Sequence, residues 1–149
     1  YHGRQNAAAG KPASQRKDGS IVLHASRAVV HGDSLAFEEE NQNLGFWTNA
    51  NDWCEFEFKV NRPGTFVVSI DQACAKGQGG STVALTGSNQ QLVATVRDTG
   101  SWGRFEIVEA GHLKIEEAGA HTLNVKPSRK AGDAVMDLRS VILKPVESD

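Results

Sequence analysis

The chain has 149 residues, 16 basic and 18 acidic side chains, and a formal net charge of −2. That length suits one domain able to bury a core without staples, and the near balance of charge leaves no electrostatic footprint for nucleic acid or an anionic membrane surface. No run of 18 or more apolar residues is present, so no membrane-spanning helix is expected.

Residues 1–19, YHGRQNAAAGKPASQRKDG, show no apolar period and are rich in Ala, Gly, Ser, Lys and Arg, a composition that predicts a flexible linker. They lack the basic, apolar and small-residue regions of a signal peptide. Because the first residue is Tyr1 rather than Met, the expectation is an excised piece of a longer protein whose targeting signal lies elsewhere. From Ser20 the texture changes to short β-branched runs broken by Gly, Asn or Asp, which places a folded domain over residues 20–145 and leaves 146–149 as a tail.

SIVLHA, RAVVHG and LAFEEE give the first three predicted strands. After the turn-rich GFWTNAND, the segment CEFEFKV alternates strictly, with Cys54, Phe56, Phe58 and Val60 on one face and Glu55, Glu57 and Lys59 on the other. Pro63-Gly64 turns it into TFVVSIDQA, a predicted hairpin partner with Phe66, Val68 and Ile70 inward. Cys54 and Cys74 flank this hairpin, and their spacing allows either a disulfide or two buried thiols. AKGQGGS reads as a loop, since it lacks the Gly-Lys-Ser/Thr ending of a phosphate-binding loop and no helical pattern follows. STVALTG, QLVATVR, RFEIVEA, HLKIEE, HTLNVK and AVMDLRSVILKP complete about eleven strands. Many short strands without a helical period predict an all-β fold, an antiparallel two-sheet sandwich or jelly roll.

Catalytic signals are weak. Glu38-Glu39-Glu40 and Glu116-Glu117 read as solvated edges, because neighbours on a strand point to opposite faces. His2, His24, His31, His112 and His121 never fall at metal-ligand spacing, and no serine or cysteine has a nucleophile motif. His121 suits a strand start, where it satisfies a turn. The tryptophans are the better lead. Trp47 and Trp102 sit in polar turns, where an indole offers an apolar face to a sugar ring while adjacent polar groups reach its hydroxyls. Trp53 opens the CEFEF strand on the face opposite Cys54, and is expected on an outer sheet surface.

From Ile21 to Pro145 the chain resembles the family 6 carbohydrate-binding modules and their relatives, with a galactose-binding-like β-jelly roll. GFWTNANDW is similar to the family's Gly-aromatic-x-x-x-Gly-Asp-Trp loop, FKVNRPGTFVVSIDQA to the hairpin after it, TGSWGRF to its Thr-Gly-x-Trp loop, and EEAGAHTLNV with AVMDLRSVILKP to its closing strands. The resemblance implies a loop-edge site in which Trp47 and Trp102 sandwich a sugar and Asp137 hydrogen-bonds its hydroxyls, with Asn49 and Arg104 beside them. It also implies a lesser second site at Trp53. The family usually has Asn where Asp137 stands; a carboxylate accepts without donating and repels uronate or sulfate groups, a charge that Arg104 would offset. Ala25-Ser26 and Arg139 occupy places where relatives hold a structural calcium through carboxylates, so calcium is not expected and no cofactor is assigned. The implied function is a non-catalytic module of a secreted or periplasmic polysaccharide-degrading enzyme, with a glycan and the parent hydrolase domain as partners and neither nucleic acid nor membrane. The alternative is a structural accessory domain packed on a parent glycosidase or sulfatase.

Overall fold

The computed structural model describes residues 4–146, and His2 lies outside them. In chain order the strands are β1 (Ala13–Ser14), β2 (Ile21–His24), β3 (Val29–His31), β4 (Ala36–Glu38), β5 (Asn43–Gly45), β6 (Trp53–Val60), β7 (Gly64–Cys74), β8 (Thr82–Gly87), β9 (Gln90–Thr95), β10 (Ser101–Ile115), β11 (Gly119–Arg129) and β12 (Asp137–Pro145). One sheet runs β1-β6-β11-β8-β9 with β3 also on β6; the other runs β10-β7-β12-β5-β4 with β2 also on β12. Every pairing is antiparallel except that of β1 with β6. This is the expected two-sheet jelly-roll sandwich.

The core follows from period-two alternation. Cys54, Phe56, Phe58 and Val60 of β6 are buried against Phe66, Val68 and Ile70 of β7, with Leu123 and Val125 of β11 and Leu138, Val141 and Leu143 of β12 filling the space between sheets. Cys54 and Cys74 are both buried free thiols on opposite sheets, and burial pushes the Cys74 thiol up to about 11.

Three segments depart from expectation. RFEIVEA and HLKIEE are a single strand, β10, with a register shift between Glu109 and Gly111. The extra residue lets Val108 and Leu113, of opposite parity, both point inward. Gly111 sits there at φ +146, a conformation that suits glycine. Next, β5 is too short for a sequence signal, yet its three residues are fully buried between β12 and β4.

Lastly, residues 4–19 are docked on the domain and do not form a free linker. β1 pairs with β6 at Phe58 and Lys59. The Gln5 side-chain carbonyl accepts from Val30 N–H at 3.0 Å, and that of Gln15 accepts from Asn61 and Arg62 N–H, both at 2.8 Å. These ties are backbone pairing and single amide side chains, which leave no apolar period to read. At the other end, Val146 N–H still donates to Thr65 O at 2.8 Å.

Candidate functional site

Two turns and the ends of several strands enclose a cleft of about 490 Å³ along one edge of the sandwich, lined in part by Glu38, Phe46, Lys76, Trp102, Asp133 and Asp137. Clefts of similar size lie elsewhere, one around Arg62, Pro63 and Phe66 and one around Glu116, Glu117 and His121. Volume alone therefore does not single out a site; aromatic and buried acidic chemistry does.

The first wall comes from GFW. Alternation counted from the buried Leu44 would send Phe46 inward and Trp47 outward. Instead Phe46 adopts φ +55, a left-handed conformation uncommon for a bulky residue, and the order inverts. Phe46 stands 63% exposed at the cleft, and Trp47 is completely buried. The Trp47 indole N–H donates to Asp52 O at 2.9 Å, and Trp47 O accepts from Val135 N–H at 2.8 Å. Trp47 is thus the anchor behind the wall and not a sugar platform.

Asp52 fixes the same turn from the other side. Its carboxylate accepts from the N–H groups of Asp33, Ser34 and Leu35 and from the Ser34 hydroxyl, at 2.8–3.0 Å. Burial pushes this carboxyl up, but the four donors outweigh it and hold it below the usual range.

Trp102 enters from the start of β10. Thr99 pins this loop: its hydroxyl accepts from Cys74 N–H at 3.1 Å and donates to Ser101 O at 3.0 Å. The half-buried indole packs partly on the core and lines the cleft with its remainder. The facing loop at residues 75–80 is clamped by Asp98, which accepts from Gly77 and Gly79 N–H, while the Gln78 side-chain carbonyl accepts from Asp133 N–H. The walls are tied down before any ligand arrives.

Asp137, the first residue of β12, is only 8% exposed and lines the cleft. Among the described residues none donates a hydrogen bond or an ion pair to its carboxylate. Burial, and secondarily the Glu38 carboxylate, push it up to about 7. Glu38 does not belong with its solvated neighbours Glu39 and Glu40: it is half-buried, faces the cleft and accepts from Asn43 Nδ2 at 3.1 Å.

Other expected site residues fall elsewhere. Arg104 is exposed and lies 3.9 Å from Glu106, so it does not offset Asp137. Asn49 turns back to accept from Asn51 N–H at 2.8 Å and is not among the cleft's lining residues. Trp53 lies on the outer face of the first sheet, but it is flanked there. His31 stacks on it at 4.1 Å between centroids, and Lys126 Nζ lies 4.2 Å from the ring centre, from strands on either side of β6. These two contacts occupy the ring where the resemblance implied a second sugar site. Arg139, at the place relatives give to a calcium ligand, holds its guanidinium 3.8 Å over Phe105. His121 accepts the role expected of it, with Nε2 2.8 Å from Glu117 O.

Sequence reasoning missed Phe46, Glu38, Lys76 and Asp133. The adjacent aromatics of GFW were a signal, since two neighbours on extended chain cannot both face the core, but which one turns out depends on the φ of Phe46.

The fold is shared widely. The chain is similar to the insecticidal crystal protein Cry2Aa (16% identity, TM-score 0.72, 89% of this chain and 22% of that one). It is also similar to a Podospora anserina β-(1,4)-mannanase carrying a family 35 carbohydrate-binding module (17%, 0.66, 89% and 29%). A family 6 module from Clostridium stercorarium, solved with cellobiose, matches over almost its whole length (16%, 0.64, 92% and 99%). The chain thus spans less than a third of the first two proteins and nearly all of the third. At these identities the likeness establishes the fold: that of family 6 and family 35 carbohydrate-binding modules. No curated protein sequence matches. The family model described as "Domain of unknown function (DUF5077)" matches residues 32–148, and the chain belongs to that family.

Proposed function

We propose that the chain is a non-catalytic carbohydrate-binding module, and that the cleft between Phe46 and Trp102 is its sugar site. The observation that carries this reading is Asp137: a residue 8% exposed whose carboxylate takes no hydrogen bond from the described residues and faces a cleft whose walls hold two aromatic rings. A buried acceptor left unpaired is costly unless something supplies its donors, and sugar hydroxyls do so while the ring rests on apolar faces. Phe46 takes the place that the resemblance gave to Trp47. Glu38, Gln78 and Asp133 add acceptors and an amide donor around the rim.

In this role the module holds an attached polysaccharide-degrading enzyme near its substrate, raising the effective concentration of the chain being cut. Modest affinity follows from burying one sugar. Titration of the protein with a panel of oligosaccharides, beside Trp102→Ala, tests the site. Binding by the wild type that falls at least about tenfold in the variant supports it; equal binding by both removes the cleft from consideration. The rival, a structural domain that binds no sugar, draws on the complete burial of Trp47. It predicts no saturable ligand in such a panel, and burial of Trp102 against the parent domain.

A further inference from the structure

The charges around the cleft are lopsided. Glu38, Asp133 and Asp137 face it with Lys76 as the one cation, and Lys76 pairs with none of them among the described residues. Arg97 and Arg104, the next two cations along the chain, both lie beside Glu106.

Glu38 and Asp137 converge by construction. β4 and β12 pair with β5 from its two sides: Leu138 pairs with Leu44, which sets Asp137 level with Gly45, while Glu38 pairs with Asn43 and carries its carboxylate along the strand to the same glycine. A Cβ on Gly45 would overlap Glu38 Oε1 and stand 3.3 Å from Asp137 Oδ1. Glycine is what lets two carboxylates share that spot. Among the described residues Glu38 has one donor, Asn43, and Asp137 has none.

We infer that the cleft takes a sugar bearing a protonated amine, a glucosamine-type residue, in preference to a neutral or uronic sugar; this rests on the sugar-binding reading above. An ammonium supplies three N–H donors on a compact charge, enough to meet both carboxylates at once. Such charge-assisted bonds are about twice as strong as neutral ones. Phe46 and Trp102 favour the same guest, since ring faces attract cations. A neutral hydroxyl meets one acceptor and leaves the like-charge pair uncompensated, so one carboxyl must keep a proton. A uronate brings a further negative charge into a partly dry site. The groups facing Asp137 are Glu38 from β4, Lys76 from the loop after β7 and Asp133 from the loop before β12; only Lys76 opposes the negative sum, and it is exposed.

The test is calorimetric titration of the whole chain at pH 6 with a glucosamine tetramer, its fully N-acetylated counterpart, neutral gluco-oligosaccharides, and oligogalacturonate with and without calcium chloride. The amine tetramer is expected to bind at least about tenfold more tightly than the acetylated one, and the gap to narrow in high salt. Glu38→Gln and Asp137→Asn should each close most of that gap while melting at or above the wild-type temperature. Neutral or acetylated oligomers bound as tightly as the amine would overturn the amine preference and leave the sugar site standing. So would calcium-dependent capture of the uronate. A folded protein that binds none of these sugars would overturn both.

Discussion

Asp52 and Asp137 are two nearly buried carboxylates at the same end of one sandwich, and their surroundings are opposite. Asp52 is 1% exposed and takes four hydrogen bonds; Asp137 is 8% exposed and takes none from the described residues. Neighbouring chemistry moves them in opposite directions, the donors pulling Asp52 below the ordinary carboxylate range while burial and Glu38 push Asp137 up to about 7. The same residue type is therefore a structural tie in one place and an unfilled acceptor in the other. Burial alone separates neither role; the count of donors does.

Breaking the tie should have the largest effect. Asp52→Ala strands three backbone N–H groups and frees the turn against which Trp47 is locked, and a loss of about 3 kcal/mol is expected in urea unfolding. The pH dependence gives the sign independently. With its folded value depressed, Asp52 stabilises the fold above about pH 4, the unfolded carboxylate value, and that contribution is lost as pH falls through the folded value, because the unfolded state binds its proton first. A variant that unfolds at the wild-type denaturant midpoint would show that the turn is held by packing of Trp47 and not by the carboxylate.

How far these roles could be read from sequence depends on the scale of the cause. The alternation of β6 and β7 is written in their residues, so the sandwich and the inward Phe56, Phe58, Phe66 and Ile70 were legible. Trp102 and Asp137 were also placed in one cleft by the order of loops that the fold resemblance implies. What escaped is set by single dihedrals and by pairings distant in sequence. One left-handed residue, Phe46, exchanges the roles of Phe46 and Trp47. Glu38 sits in a run of three glutamates, and only the pairing of β4 with β5 turns the first of them toward Asp137. The docking of residues 4–19 rests on Gln5, Gln15 and a two-residue strand, which composition cannot distinguish from a linker.

The other half of the comparison is sharpened by Asp137→Asn, with the opposite sign and a smaller size. Asp137 keeps its proton in the folded state up to about pH 7 and in the unfolded chain only up to about pH 4. Between those values the folded state binds more protons, so its contribution falls as pH rises and is flat above the upper value. The asparagine variant escapes that loss. It is expected to match wild type near pH 4 and to exceed it by on the order of 2 kcal/mol at pH 8, roughly half the limit set by a shift of about three units, since the cleft admits water. Thermal melts of both proteins across that range check it. Parallel curves would mean that Asp137 ionises as freely as a surface carboxylate.

The smallest effect is expected at Arg104, and it decides whether the contrast between the two aspartates is local. Its side chain is 74% exposed and shares Glu106 with Arg97, at 3.9 and 3.8 Å. Ion pairs that open to solvent contribute little and are screened by salt. Arg104→Ala should therefore change stability by less than about 0.5 kcal/mol and leave the affinity of any cleft-bound sugar within about twofold. A larger response, with amine sugars gaining and acidic ones losing, would mean that the Arg104 charge reaches Asp137 through the cleft. Asp137 would then have a partner after all, and its raised acidity range would belong to the whole rim of charges instead of to the Glu38–Asp137 pair.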